Sequence, residues 1–118
     1  MLQLICHLIG DFCLQNDYIA ERKTRNTAVC LMHVLLYSVP FFALIGPSWP
    51  AMAVIVGTHF LIDRFSLTRL WVNGFKIGVE KDYPIRFWLY VIVDNTIHLT
   101  INYVALSHRF EEFVSKFL

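Results

Sequence analysis

Charge is scarce in this chain. Only 16% of its 118 residues are Asp, Glu, Lys or Arg, and ten basic side chains nearly balance nine acidic ones, for a net charge of +1. That balance excludes a nucleic-acid footprint and an acidic tail. Cysteine is also sparse. Cys6, Cys13 and Cys30 are odd in number, lie within the first 30 residues and form no CxxC pair, which excludes a disulfide framework and a redox motif and leaves them as small packing residues. No Gly-rich phosphate loop, nucleotide motif or Ser-His-Asp nucleophile arrangement is present. "GFKIG" at 74–78 matches GxxxG formally, but it lies between apolar segments and carries no weight as a dimerisation face. The opening "MLQLICHLIGDF" lacks a positive n-region and a small-residue cleavage site, and His7 and Asp11 interrupt its apolar run, so a signal peptide is not expected.

What the chain has instead is apolar sequence, 57% of residues with a mean hydropathy of +0.54. The length suits one domain, residues 1–118. The apolar residues fall into four segments, about 1–18, 26–45, 50–71 and 84–106. The last three have the length that crosses a hydrocarbon core. The first, about 27 Å as a helix, is the shortest span. Pro47, Pro50 and Pro84 mark segment boundaries, whereas Pro40 lies inside the second segment and predicts a kink. Trp49, Trp71 and Trp88 fall near segment ends, where an aromatic belt would sit. The tail "SHRFEEFVSKFL" spaces Phe110, Phe113, Val114 and Phe117 as an amphipathic helix lying on a membrane surface. The expected fold is therefore all-α, a four-helix transmembrane bundle with a short C-terminal amphipathic helix. A soluble bundle would show polar outward stripes, which the second and fourth segments mostly lack.

The basic residues set an orientation. Arg22, Lys23 and Arg25 lie between the first two segments, and Arg64, Arg69, Lys76, Lys81 and Arg86 lie at or between the ends of the third and fourth. Only Arg109 and Lys116 follow the fourth, and the second loop has none. Positive-inside bias then puts loops one and three in the cytoplasm and both termini outside, in a bacterial inner membrane.

Three polar pairs interrupt the apolar helices: "HLIGD" (His7, Asp11), "HFLID" (His59, Asp63) and "DNTIH" (Asp94, His98). Each has i, i+4 spacing, so both members share a helix face. The reversed third pair lies on a helix running the opposite way, so all three histidines come out on one side of the three aspartates. Counted from the inner ends, the aspartates lie about 12–15 Å deep, the histidines about 18–21 Å, and His33 on the second segment about 10 Å. One layer thus gathers His7, Asp11, His33, His59, Asp63, Asp94 and His98 from four helices.

Carboxylates in hydrocarbon are costly, about 2.5–3.5 kcal/mol each at a helix centre, and three would repel one another. A divalent cation answers both problems. Imidazole and carboxylate ligands suit zinc first, with manganese or iron also compatible. The donor count fits two ions, or one ion with further carboxylates orienting the imidazoles. A proton relay or an interhelical hydrogen-bond network would use the same residue types. Gln15, Tyr37, Tyr90 and Asn102 extend the polar stripes, either to orient ligands and touch substrate or as ordinary interhelical contacts. Lys23 and Arg64 are candidate phosphate-holding residues at the inner mouth, although positive-inside charge explains them equally.

On "HLIGDFCLQ" (7–15), Lys23, His33, "THFLID" (58–63) and "DNTIH" (94–98), in that order over nearly the whole chain, the sequence resembles the small bacterial and phage membrane-protein family catalogued as domain of unknown function 3307. A looser resemblance is to membrane-bound metal-dependent hydrolases with intramembrane His and Asp motifs, which implies hydrolysis. The expectation that follows is a membrane metal-dependent hydrolase of a lipid or lipid-linked phosphoester, with one or two ions held by the seven residues above. Asp11, Asp63 and Asp94 are its candidate catalytic carboxylates, and Gln15, Lys23 and Arg64 would contact substrate. The expected partners are the bilayer, the lipid substrate and further copies of the chain, with no nucleic acid. The alternative is a non-enzymatic protein that uses the cluster as an ion or proton site, or as a structural metal staple.

Overall fold

The computed structural model describes residues 1–75 and 84–117. Lys76, Lys81 and the second glycine of "GFKIG" lie outside the described residues. The described chain is helical throughout: α1 Leu2–Leu8, a π-helical segment Ile9–Cys13, α2 Asp17–Arg22, α3 Thr27–Leu44, α4 Trp49–Phe65, α5 Leu67–Phe75, α6 Pro84–Ala105 and α7 His108–Phe117. α1, α3, α4 and α6 close a ring, α1 against α3, α3 against α4, α4 against α6, and α6 back against α1.

Local chemistry sets the breaks. Asn26 caps α3, its side chain accepting from the Ala28 and Val29 amides at 2.9 and 3.2 Å. α3 runs through Pro40 and stops before Gly46, which takes a positive φ of 62°. Ser48 caps α4, with Pro50 in the first turn. The second apolar segment thus folds as the sequence reads. The first and third each break once more. The first leaves helical geometry after Cys13 and restarts at Asp17 behind an Asn16 cap. The third ends at Ser66, a left-handed residue at φ 52°, beyond which α5 turns away from α4 by 62°. α7 leaves α6 at 57°, and Ser48 donates to the Glu111 carboxylate to hold it near the start of α4.

Among the described residues α3 alone is a single helix long and apolar enough to cross a membrane. α4 with α5, and α6 with α7, reach that measure only as bent pairs. The interior mixes an apolar core, with Tyr37, Phe41 and Ile55 fully buried, and polar side chains. His7, Asp11, His33, His59, Asp63, His98 and Asn102 are buried, while Leu31, Leu35, Val39 and Phe42 form an exposed apolar stripe along α3.

The π-helical segment serves the site. Its wider turn ends with Leu14 N–H bonded to the Ile9 carbonyl five residues back. Gly10 lies there flush against α3: a Cβ on it would come within 2.5 Å of Tyr37 Cδ2 and 3.1 Å of Tyr37 Cα. Only glycine permits this approach, which brings Asp11 up to α3.

Candidate metal centre

The i, i+4 spacing on α4 turns His59 and Asp63 inward together, α3 adds His33 and the π-helical segment adds Asp11. Their donor atoms converge. His33 Nε2 and His59 Nε2 lie 3.0 Å apart. Asp11 Oδ1 is 3.3 Å from each, and Asp63 Oδ2 is 3.2 Å from each. Two donor triangles therefore share the His33–His59 edge. An ion with bonds of about 2.0–2.2 Å holds tetrahedral ligand atoms about 3.3–3.6 Å apart, a little beyond these edges. His59, Asp63 and His98 form a second group, each with one donor atom within 4.8 Å of the others. His98 stacks on His59 at 4.1 Å between ring centroids.

The protein leaves this end of the cluster unsatisfied. Among the described residues, Asp11 Oδ1, His33 Nδ1, His59 Nδ1 and His98 Nε2 are buried without a hydrogen-bond partner. Two buried carboxylates face one ammonium, that of Lys23, whose Nζ lies 2.7 Å from Asp63 Oδ2 and 3.4 Å from His33 Nε2. A cation among the donor atoms would supply the missing charge and a partner for Asp11 Oδ1. The buried His and Asp groups thus have the composition and spacing to hold a metal ion.

His7 is held differently. The Asn95 amide nitrogen donates to the Val91 carbonyl at 2.7 Å, which turns Oδ1 toward His7 Nε2 at 2.8 Å. Nε2 is therefore the donor, and Nδ1 accepts from the Tyr37 hydroxyl at 3.0 Å. Tyr37 in turn accepts from the Asn102 amide at 2.7 Å and packs on the His59 ring at 3.9 Å. Both ring nitrogens of His7 thus have protein partners, with Asp11 Oδ2 at 3.4 Å.

The family model described as protein of unknown function, DUF3307, matches residues 1–116. The chain belongs to that family. Neither the curated proteins nor the solved structures yield a match to it.

Of the remaining candidate residues of this DUF3307 protein, Lys23 and Asp94 line an opening beside Asp63. A cavity of about 200 Å³ is lined by Lys23, Thr24, Ser66, Thr68, Arg69 and Tyr90, with Asp63 and Asp94 reaching into it. Asp94 is apart from both donor groups. Its Oδ1 accepts from Thr68 at 2.6 Å, its Oδ2 is 3.6 Å from His98 Nε2, and its side chain is 31% exposed. Gln15 Oε1 is buried without a hydrogen-bond partner. Arg64 turns away from the cavity and ties the end of α4 to the first loop, through Thr27 Oγ1 at 3.0 Å and the Thr24 carbonyl at 2.8 Å.

Two features escaped the sequence reading. Asn95, next to Asp94, is the partner that fixes His7, and nothing in its spacing marks it. Arg69 is the guanidinium at the cavity. In a straight helix it would face elsewhere, so only the bend at Ser66 accounts for its position.

Proposed function

We propose that this protein is an integral membrane metal-dependent hydrolase acting on a membrane-associated phosphoester. In this reading the four ringed helices cross a bacterial inner membrane, with the basic loops inside and both termini outside. The exposed apolar stripe of α3, the buried polar side chains, and the exposed Trp49, Trp71 and Trp88 support it. The observation that carries the reading is the convergence of Asp11, His33, His59 and Asp63 beside a cavity that Lys23, Arg69 and Asp94 line.

Zinc, or alternatively manganese or iron, as one or two ions, would acidify water and neutralise developing charge. The chain's own residues do the rest. Asp11, His33, His59 and Asp63 would hold the ion, with His98 completing a second group. Asp94 is the carboxylate left outside the donor triangles, within the cavity, and accepts the proton of the attacking water. Thr68 orients it. Lys23 and Arg69, which line the cavity, would receive the anionic headgroup.

Elemental analysis of purified protein is expected to give at least about one equivalent of metal. Asp63→Asn is expected to abolish hydrolysis of a lipid phosphate while leaving helicity intact. Full activity in metal-free protein would overturn the reading. One observation favours a second reading, a non-catalytic ion or proton site: the Lys23–Asp63 pair already places one positive charge in the cluster. In that case Lys23→Met would destabilise the metal-free protein, and no lipid phosphate would be turned over.

A further inference from the structure

The cavity beside Asp63 does not end in polar surface. It shares Ile62 with an apolar furrow of about 320 Å³ between α4, α5 and α6, walled by Leu61, Leu67, Trp71, Ile97 and Ile101. That furrow shares Thr58 and Ile101 with a second apolar hollow of about 300 Å³, which continues past Val54 and Val104 to Phe110 of α7. Both threonine hydroxyls along the track bond to their own helices: Thr58 Oγ1 donates to the Val54 carbonyl and Thr100 Oγ1 to the Thr96 carbonyl, each at 2.7 Å. From Ile62 to Val54 the furrow follows α4 for about 12 Å.

Its polar end carries both signs, Lys23 and Arg69 with Asp63 and Asp94, and Lys23 is paired with Asp63. Arg69 makes no ion pair among the described residues, and its guanidinium lies 5.8 Å over the Tyr90 ring. Lys23 stands across the same cavity. The bend at Ser66 creates the junction, because it swings α5 off the α4 axis by 62° and opens the notch that the furrow enters. A mouth where the Arg69 guanidinium and several hydroxyls meet, joined to a narrow apolar track, fits an amphiphile with a phosphate at one end and an alkyl chain at the other.

We infer that the α4–α6 seam is the alkyl-chain subsite of a lipid phosphate whose headgroup is held by Arg69 and Lys23 beside Asp63. The inference deepens the proposed hydrolase reading by naming the substrate class and where its chain lies. It needs only binding, so it can fail while the metal reading stands.

The test uses the full-length protein in phosphatidylcholine nanodiscs and a dodecyl phosphate carrying a chain-borne diazirine. Crosslinked residues are mapped by mass spectrometry, and metal content is measured on the same sample. Labelling is expected on the α4–α6 seam, at Leu61, Ile97 or Ile101, in preference to the equally apolar Leu35 and Phe42 on α3. The matching dodecanol probe is expected to label the seam about tenfold less, the cost of losing one charge-assisted contact, and Arg69→Ala to reduce phosphate-probe labelling by a similar factor. Ile101→Trp, which fills the furrow, is expected to shift labelling off the seam while metal content holds. Excess inorganic phosphate is expected to compete weakly. Complete competition would make the site one for free phosphate and overturn the chain subsite, as would equal labelling of α3 and the seam, or equal labelling by dodecanol. If the seam is not labelled but metal is bound, the inference falls alone. If neither occurs, the hydrolase reading falls with it.

Discussion

His7 and His33 are the same residue type, both fully buried, in one cluster, on neighbouring helices. Their surroundings differ. Around His7 the hydrogen bonds close: Asn102 donates to Tyr37, Tyr37 donates to His7, and His7 donates to Asn95. Around His33 the donor atoms of two carboxylates and a second imidazole face one another at 3.0–3.3 Å, and Asp11 Oδ1 and His33 Nδ1 have no hydrogen-bond partner. A buried polar group without a partner costs about 1–3 kcal/mol, so a fold does not accumulate such groups without compensation. The closed end therefore reads as the frame and the open end as the place for a cation. The two are in contact through Tyr37, which bonds His7 with its hydroxyl and packs its ring on His59.

The largest expected difference between the two ends is in metal affinity. His33→Ala or His59→Ala should weaken metal binding by about a hundredfold or more, whereas His7→Gln should change it by about tenfold at most. Metal titration with a competing chelator measures both. Exchanging His59 and Asp63 keeps composition and spacing but puts the wrong donor at each depth, and it should lose the metal as fully as His59→Ala. Equal losses from His7 and His33 variants would erase the distinction between the ends. Next in size is Gly10→Ala. Its added methyl meets Tyr37 Cδ2 at 2.5 Å and backbone at 3.1 Å, so the π-helical segment must back away from α3, at about 1–3 kcal/mol in unfolding free energy. Because Asp11 rides on that segment, metal affinity should fall with stability. A stable Gly10→Ala protein would show that the close approach is dispensable.

How much of this could be read without coordinates follows from which distances matter. The i, i+4 pairs fix helix faces locally, so the meeting of four segments at one His and Asp cluster was legible, as was α3, expected at 26–45 and found at Thr27–Leu44. The division of labour was not legible. His7 is set apart from His33 by Tyr37 and Asn95, which lie 30 and 88 residues away in sequence, and nothing in "HLIGD" announces them. The extra break in the third segment was hidden because "RFSLTR" contains no glycine or proline, and a left-handed serine is set by tertiary context. That break also decides which arginine serves the cavity. Arg64 follows Asp63 by one residue and so points about 100° away from it, a fact open to sequence reasoning. Arg69 comes to the mouth only because α5 departs from the line of α4.

Tyr37→Phe sharpens the comparison from the closed end. It removes one oxygen, leaving the His7 Nδ1 acceptor and the Asn102 donor unpaired, yet keeps the ring that packs on His59. Interhelical hydrogen bonds of this kind are worth about 0.6 kcal/mol on average and at most about 1.7, so a loss of about 1 kcal/mol in unfolding free energy is expected, with metal content unchanged. A large drop in metal content would move Tyr37 from frame to ion site. Asp94→Asn should have the smallest effect on the cluster itself. The amide oxygen can still accept from Thr68, so the link between α5 and α6 persists, and a partly exposed side chain outside both donor groups contributes little to holding an ion. Stability should stay within about 0.5 kcal/mol and metal content should match the parent protein. What the substituted amide lacks is a carboxylate that can take a proton, so under the proposed mechanism hydrolysis falls while binding of the ion and of the lipid phosphate does not. Loss of the metal on this substitution would place Asp94 among the ligands and leave the cavity without its proton acceptor.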